Sequence, residues 1–323
     1  MRVATFLPLL CWLQFAIAGQ ARAEARLVAI PAGRDSDLRF FAADGTQLKG
    51  LAALRQMSSA NLTLWVAGNQ FFAMPDVIAG FQREHPGTAV GLLTLPPGLI
   101  LEAIQAGGWT YAGERFPALP DVYGTVSLDQ LQATGHADTY AIYMHNALEL
   151  MVARGNPKHV KDLGDLARPD LKVTLPNPLT EGIMSVYGKP LLVRLGLWNK
   201  LSPGADCAGC DPTPTVHFAV IHHREIPSRI LSGAADVGLV WRTEVLEAQR
   251  KGDAIDGVAL PVDQQASDKV SYLAGMLRGT PHAKAAHQLL EFLVSPGGQA
   301  AYMTYGFMPA SEAERHLRTA SPR

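Results

Sequence analysis

The densest run of reactive side chains in the sequence is His222-His223-Arg224-Glu225, just ahead of Pro227. Imidazoles ligate metals or move protons near neutral pH. A guanidinium grips a carboxylate or phosphate through two parallel hydrogen bonds. Two adjacent histidines on a strand point to opposite faces, so one is expected to pack and the other to be exposed, without a shared metal. The functional reading instead sets His223 or Arg224 in a cleft. His145 and His217 are the further imidazoles that a metal site would draw on, but the expected site carries no metal and no cofactor. Cys207 and Cys210 form the other reactive pair. Ser202-Pro203-Gly204 before them and Asp211-Pro212-Thr213-Pro214 after them read as loop. That context favours a short structural disulfide over a redox pair, which would want a strand before it and a helix opening at it. No Gly-x-Ser-x-Gly, P-loop glycine run or His-Glu-x-x-His occurs in the chain, so the expectation is a non-enzyme.

These residues must be held by larger elements, and the apolar pattern supplies them. From Asn61 on, strand and helix signals alternate. Leu62 to Ala67 is an apolar run ending at Gly68-Asn69-Gln70, and Met74, Val77, Ile78 and Phe81 then recur at helical spacing. Val90 to Leu95 predicts a second strand, broken by Pro96-Pro97-Gly98 before a helix from Leu99. Asp121 to Gly124 predicts a third. A second series gives strands at 148–153, 172–175 and 235–241, and the last third adds one at 270–276 and a helix from about His282 to Val294. Short strand–helix units call for mostly parallel sheets with helices on both faces. Two such series with a return predict an α/β protein of two lobes joined by a hinge, 61–137 plus 258–315 and 138–257. Residues 24–60 precede the pattern with one hairpin, Leu38 to Gln47 around Asp44-Gly45, and 316–323 form a tail.

The N-terminus sets the compartment. Met1-Arg2 precedes an uncharged apolar run from Val3 to Ala18, and Ala21-x-Ala23 is the small-x-small pattern of a cleavage site. A cleaved signal peptide over 1–23 is expected, with the mature chain in the periplasm. The 323 residues suffice for two domains, and the net charge of −1 argues against a nucleic-acid partner.

Four motifs in order resemble the bacterial extracellular solute-binding proteins of ABC transporters, closest to the molybdate-binding branch. They are Pro120-Asp121-Val122-Tyr123, Leu150-Met151-Val152-Ala153-Arg154-Gly155-Asn156-Pro157, Ala235-Asp236-Val237-Gly238-Leu239-Val240-Trp241, and Phe292-Leu293-Val294-Ser295-Pro296-Gly297-Gly298-Gln299 followed by Tyr305-Gly306-Phe307-Met308-Pro309-Ala310. The resemblance covers roughly 61–310. It implies the two-lobed periplasmic binding fold (type II) and a monomeric protein that binds a molybdate-like oxyanion or small carboxylate and hands it to an inner-membrane ABC permease. Ligands of open α/β sheets sit beyond the carboxyl ends of the strands, and helix N-termini receive anions there. The candidate ligand-binding residues are therefore Asn69, Gln70, Gly98, Thr125, Glu181, Gly182, His223, Arg224 and Trp241. Asn69-Gln70 stands where the branch usually offers a serine, Glu181 places a negative charge at an anion's turn, and Trp241 replaces a tyrosine. The alternative is an accessory or sensor protein that binds a ligand or metal and presents it to a protein partner through the Cys207–Cys210 loop. An enzyme on the same scaffold comes third.

Overall fold

The computed structural model describes residues 27–30, 35–116, 118–133, 137–265 and 270–319. The expected signal peptide lies outside them. Among the described residues no helix is long and apolar enough to cross a membrane.

Two sheets carry the molecule. The larger has nine strands, and its centre runs Val270–Leu277, Val122–Thr125, Leu62–Ala67, Val90–Leu95, Leu38–Phe41. Leu62–Ala67 is parallel to both Val90–Leu95 and Val122–Thr125. All six residues of Leu62–Ala67 and all six of Val90–Leu95 are buried. Such unbroken apolar runs belong to strands covered on both faces. The helices Met74–Glu84 and Ala283–Val294 supply part of that cover, meeting where Phe81 packs edge-on against Phe292 at 5.8 Å between ring centres.

The smaller sheet has five strands in the order Val216–Phe218, Val173–Leu175, Val237–Trp241, Leu148–Ala153, Ile255–Ala259. Its first three are mutually parallel, and Leu148–Ala153 runs antiparallel to both of its neighbours, Val237–Trp241 and Ile255–Ala259. A short third sheet pairs Val28–Ile30, Trp109–Tyr111 and Glu114–Phe116.

The expected hairpin forms: Leu38–Phe41 and Gln47–Lys49 pair antiparallel. It does not stand apart from the first lobe, because Leu38–Phe41 also pairs with the Val90–Leu95 strand and extends the large sheet. A second difference concerns the hinge. The strand Ala137–Asn146, expected to open the second lobe, is paired with Val270–Leu277 in the large sheet. The chain therefore crosses to the small sheet between Asn146 and Leu148. Asn146 marks the crossing with hydrogen bonds from Nδ2 to Thr243 Oγ1 at 3.0 Å and to the Tyr272 hydroxyl at 3.3 Å.

Two segments of the small-sheet lobe, 163–167 and 183–194, coil in different ways. The first is the 3-10 turn Leu163–Ala167, and the second splits into a π-helical turn, Ile183–Gly188, and the α-helix Lys189–Arg194.

Candidate functional site

The parallel strands of both sheets end at the junction between the lobes. On the large-sheet side, Leu62–Ala67 runs into a buried 3-10 turn, Gly68–Gln70, and Val90–Leu95 ends at Pro96-Pro97. On the small-sheet side stand Glu181, Gly182 and Ile183 at the head of the π turn, His222 and His223, and Trp241 at the end of its strand. Together with Val126 they enclose a cavity of about 10 Å³. That is the threshold for one water molecule.

The lobes touch directly around it. Gly98 N donates to Thr180 O at 3.0 Å, and the Tyr187 hydroxyl donates to Val126 O at 2.7 Å. Arg224 reaches across from the small-sheet lobe, donating to the Asp37 carboxylate, the Gly68 carbonyl and Thr94 Oγ1. Its guanidinium lies 4.0 Å from the Phe71 ring centre, a cation–π contact. Two glycines permit this closeness. A Cβ on Gly68 would lie 2.3 Å from His222 Cε1, and one on Gly182 would lie 2.5 Å from Val126 Cγ2.

The ionisable side chains at the cavity converge on Glu181, which is 2 % exposed. His223 donates its backbone N–H to Glu181 Oε1 at 2.7 Å, its Nδ1 bonds Oε2, and its Nε2 lies 2.9 Å from Glu244 Oε1. His222 places Nδ1 3.6 Å from Glu181 Oε1 and Nε2 3.6 Å from Asp37 Oδ2. Burial opposes a charged His223 imidazole, but the Glu181 and Glu244 carboxylates on its two nitrogens outweigh burial and push it up to about 10. The position is thus built to stabilise positive charge.

The expectation that His222 and His223 face apart does not hold. His222 is extended at φ −126° and ψ 139°, but His223 begins a 3-10 turn, His223–Glu225. Strand alternation ends between them, and both Nδ1 atoms turn to Glu181. The ligating atoms of Glu181, His222 and His223 all lie within 4.8 Å of one another, and all three residues are buried. The other two imidazoles are elsewhere: His145 bonds Glu314 at 3.0 Å and His217 bonds Asp211 at 2.7 Å.

Of the nine candidate residues, Asn69, Glu181, Gly182, His223 and Trp241 line the cavity. Four do not. Gln70 turns into the large-sheet lobe, where its Oε1 accepts from the Tyr143 and Tyr302 hydroxyls, both at 2.9 Å. Gly98 serves the lobe contact. Thr125 is buried in its strand opposite Leu273, and the next residue, Val126, meets the cavity instead. Arg224 ties the lobes together. Two participants escaped sequence reasoning. Glu244 sits in the first turn of the helix Arg242–Arg250, just beyond Trp241, where the strand-end rule would have found it. Asp37 lies ahead of the repeating pattern, and no local signal marks it. Cys207 and Cys210 are disulfide-bonded as expected, with Cα atoms 6.1 Å apart.

Residues 62–308 match the family model described as bacterial extracellular solute-binding protein. A sulfate-binding protein of Synechococcus elongatus is 25% identical over 179 residues, covering 52% of this chain and 48% of the relative, so the match spans about half that relative's length. Among solved structures, the periplasmic molybdate-binding protein of Azotobacter vinelandii superposes with a TM-score of 0.60 at 20% identity, over 77% of this chain and 100% of that one. The sulfate-binding protein SubI of Mycobacterium tuberculosis H37Rv gives 0.59 at 20% identity, over 79% and 88%. Likeness at this identity is likeness of fold, and the fold is that of two-lobed periplasmic binding proteins. With most of its length matched, the chain belongs to the bacterial extracellular solute-binding protein family.

Proposed function

We propose that this protein is the exported substrate-binding component of an ABC importer, closing its lobes on a small ligand and presenting the closed form to an inner-membrane permease. The observation that carries the reading is the enclosed cavity at the strand ends, sealed by bonds from one lobe to the other. Ligand binding that favours such contacts shifts a binding protein from open to closed by a hinge motion. The crossing near Asn146, between the large-sheet and small-sheet strands, is the natural hinge. Family membership supports a binder rather than an enzyme, and a monomer suffices because one chain supplies both lobes.

Relatives named for sulfate and molybdate make oxyanions the first ligands to try. The lining works against them. Asp37, Glu181 and Glu244 bring three carboxylates to the cluster, so the charges of Arg224, Arg39 and His223 are largely spent on them and not on a bound anion. Small-angle scattering on the purified mature chain tests the reading. A bound ligand should lower the radius of gyration in proportion to occupancy, and the closed form should cross-link to an inner-membrane permease. A radius of gyration unchanged by any solute that binds would sink the closing mechanism.

A further inference from the structure

Resting on that binding-protein reading, we propose that the cleft takes a divalent first-row transition-metal cation, held by Glu181, His222 and His223. The donor set is two imidazoles and one carboxylate. Zn²⁺ and its neighbours accept this set at about 2.0–2.2 Å per bond, with a fourth position left open. Those bond lengths put two ligand atoms of one tetrahedral ion ~3.4 Å apart. His222 Nδ1 and Glu181 Oε1 are 3.6 Å apart, close to that spacing, and the ion would take the place of the proton that His223 Nδ1 shares with Glu181 Oε2.

The far nitrogens support the same assignment. A metal-bound histidine usually directs its other nitrogen to a carboxylate, which orients the ring and raises its basicity. Here both histidines turn Nδ1 toward Glu181, while Nε2 faces Glu244 in His223 at 2.9 Å and Asp37 in His222 at 3.6 Å. The pattern is thus repeated at two adjacent residues, His222 extended and His223 opening a 3-10 turn, which brings both rings to Glu181.

Charge and space agree. A metal would displace the imidazole protons, and Asp37, Glu181 and Glu244 against Arg224 and its buried neighbour Arg39 would then leave one negative charge, a setting that favours a cation over an anion. The closed cavity of about 10 Å³ has room for one ion or one water. Because Asp37 comes from the large-sheet lobe and the three ligands from the other, the cation would also hold the lobes together.

The test uses the untagged mature chain, stripped by a chelator and titrated with Co²⁺ and then Zn²⁺. Expected are one Co²⁺ per chain, visible absorption of four-coordinate intensity, and its loss when Zn²⁺ displaces the cobalt. E181Q and H223Q should weaken binding more than about 100-fold, and E244Q by about 10–100-fold as an outer partner, with circular dichroism confirming that each is folded. No Co²⁺ or Zn²⁺ binding to the parent chain, or undiminished binding by E181Q and H222Q, overturns the proposal. Parallel scattering with the metal and with molybdate separates it from the importer reading. Compaction by molybdate without metal binding removes the cation and keeps the closing binder. Metal binding without compaction keeps the site and removes the closing mechanism.

Discussion

The two walls of the cavity are made of different chemistry. The large-sheet wall offers Ala67, Gly68, Asn69, Pro96, Pro97 and Val126, all neutral, with one amide among them. The small-sheet wall offers Glu181, His222, His223 and Trp241, with Glu244 behind. One lobe holds nearly all the groups that can recognise a charged ligand. The other supplies a close-fitting surface and one reaching carboxylate, Asp37. A ligand should therefore meet the small-sheet lobe first, and the large-sheet lobe should close over it.

The contact that unites the walls gives the largest expected effect. Arg224→Ala would take the guanidinium from the buried Asp37 carboxylate, leaving it Thr94, His222 and Arg39, so the cost should fall below the about 3–5 kcal/mol of a buried pair that loses its one partner. The expected outcome is a chain that stays folded but scatters as the open form even with ligand, with a lower Tm. An unchanged radius of gyration would show that Arg224 does not hold the lobes.

Gly68→Ala probes the fit of the neutral wall. Its Cβ would press on the His222 ring, and overpacking of this kind costs about 1–3 kcal/mol. Ligand affinity should fall about 10–100-fold, while thermal stability without ligand changes little. If affinity holds, the lid is softer than the packing implies.

Gln70→Leu sharpens the comparison from within the large-sheet lobe. It leaves the Tyr143 and Tyr302 hydroxyls without their acceptor, at about 1–3 kcal/mol. The Tm should drop with ligand affinity intact, separating this residue from its neighbour Asn69.

The smallest effect lies at the C-terminal end of the chain. Burial raises the Glu314 carboxyl, but hydrogen bonds from Ser311 and from His145 outweigh it and bring it down to about 2. A carboxylate lowered on folding contributes stability that is present above about 4.5 and lost as pH falls toward 2. Glu314→Gln should therefore lower stability at neutral pH by less than about 1 kcal/mol, given its partial exposure, with the difference vanishing near pH 2 in thermal melts.

Much of the architecture was legible because it is local. The buried runs 62–67 and 90–95, the helix through Phe81 and the turns at Gly68 and Pro96 are periodic patterns within a dozen residues. The strand-end rule then led to Glu181, Gly182 and Trp241 without any knowledge of contacts. It misplaced Gln70 because sequence adjacency to Asn69 says nothing of a 3-10 turn that sends the two side chains in different directions. It misjudged His222 and His223 because strand alternation was assumed across a residue where the backbone turns. The assignment of Ala137–Asn146 failed for a different reason: a strand's own residues do not name its partner, and Val270–Leu277 comes much later in the chain.

The sequence by itself determined the α/β class, the family and the list of strand-end turns, since each is written in short-range pattern and composition. The tertiary structure alone decided that these turns meet, and with what charge. Arg224 and Asp37 are 187 residues apart, and His223 and Glu181 are 42 apart. No periodicity encodes such distances. They follow from two sheets packing with their strand ends together, which turns scattered carboxylates and imidazoles into one buried cluster.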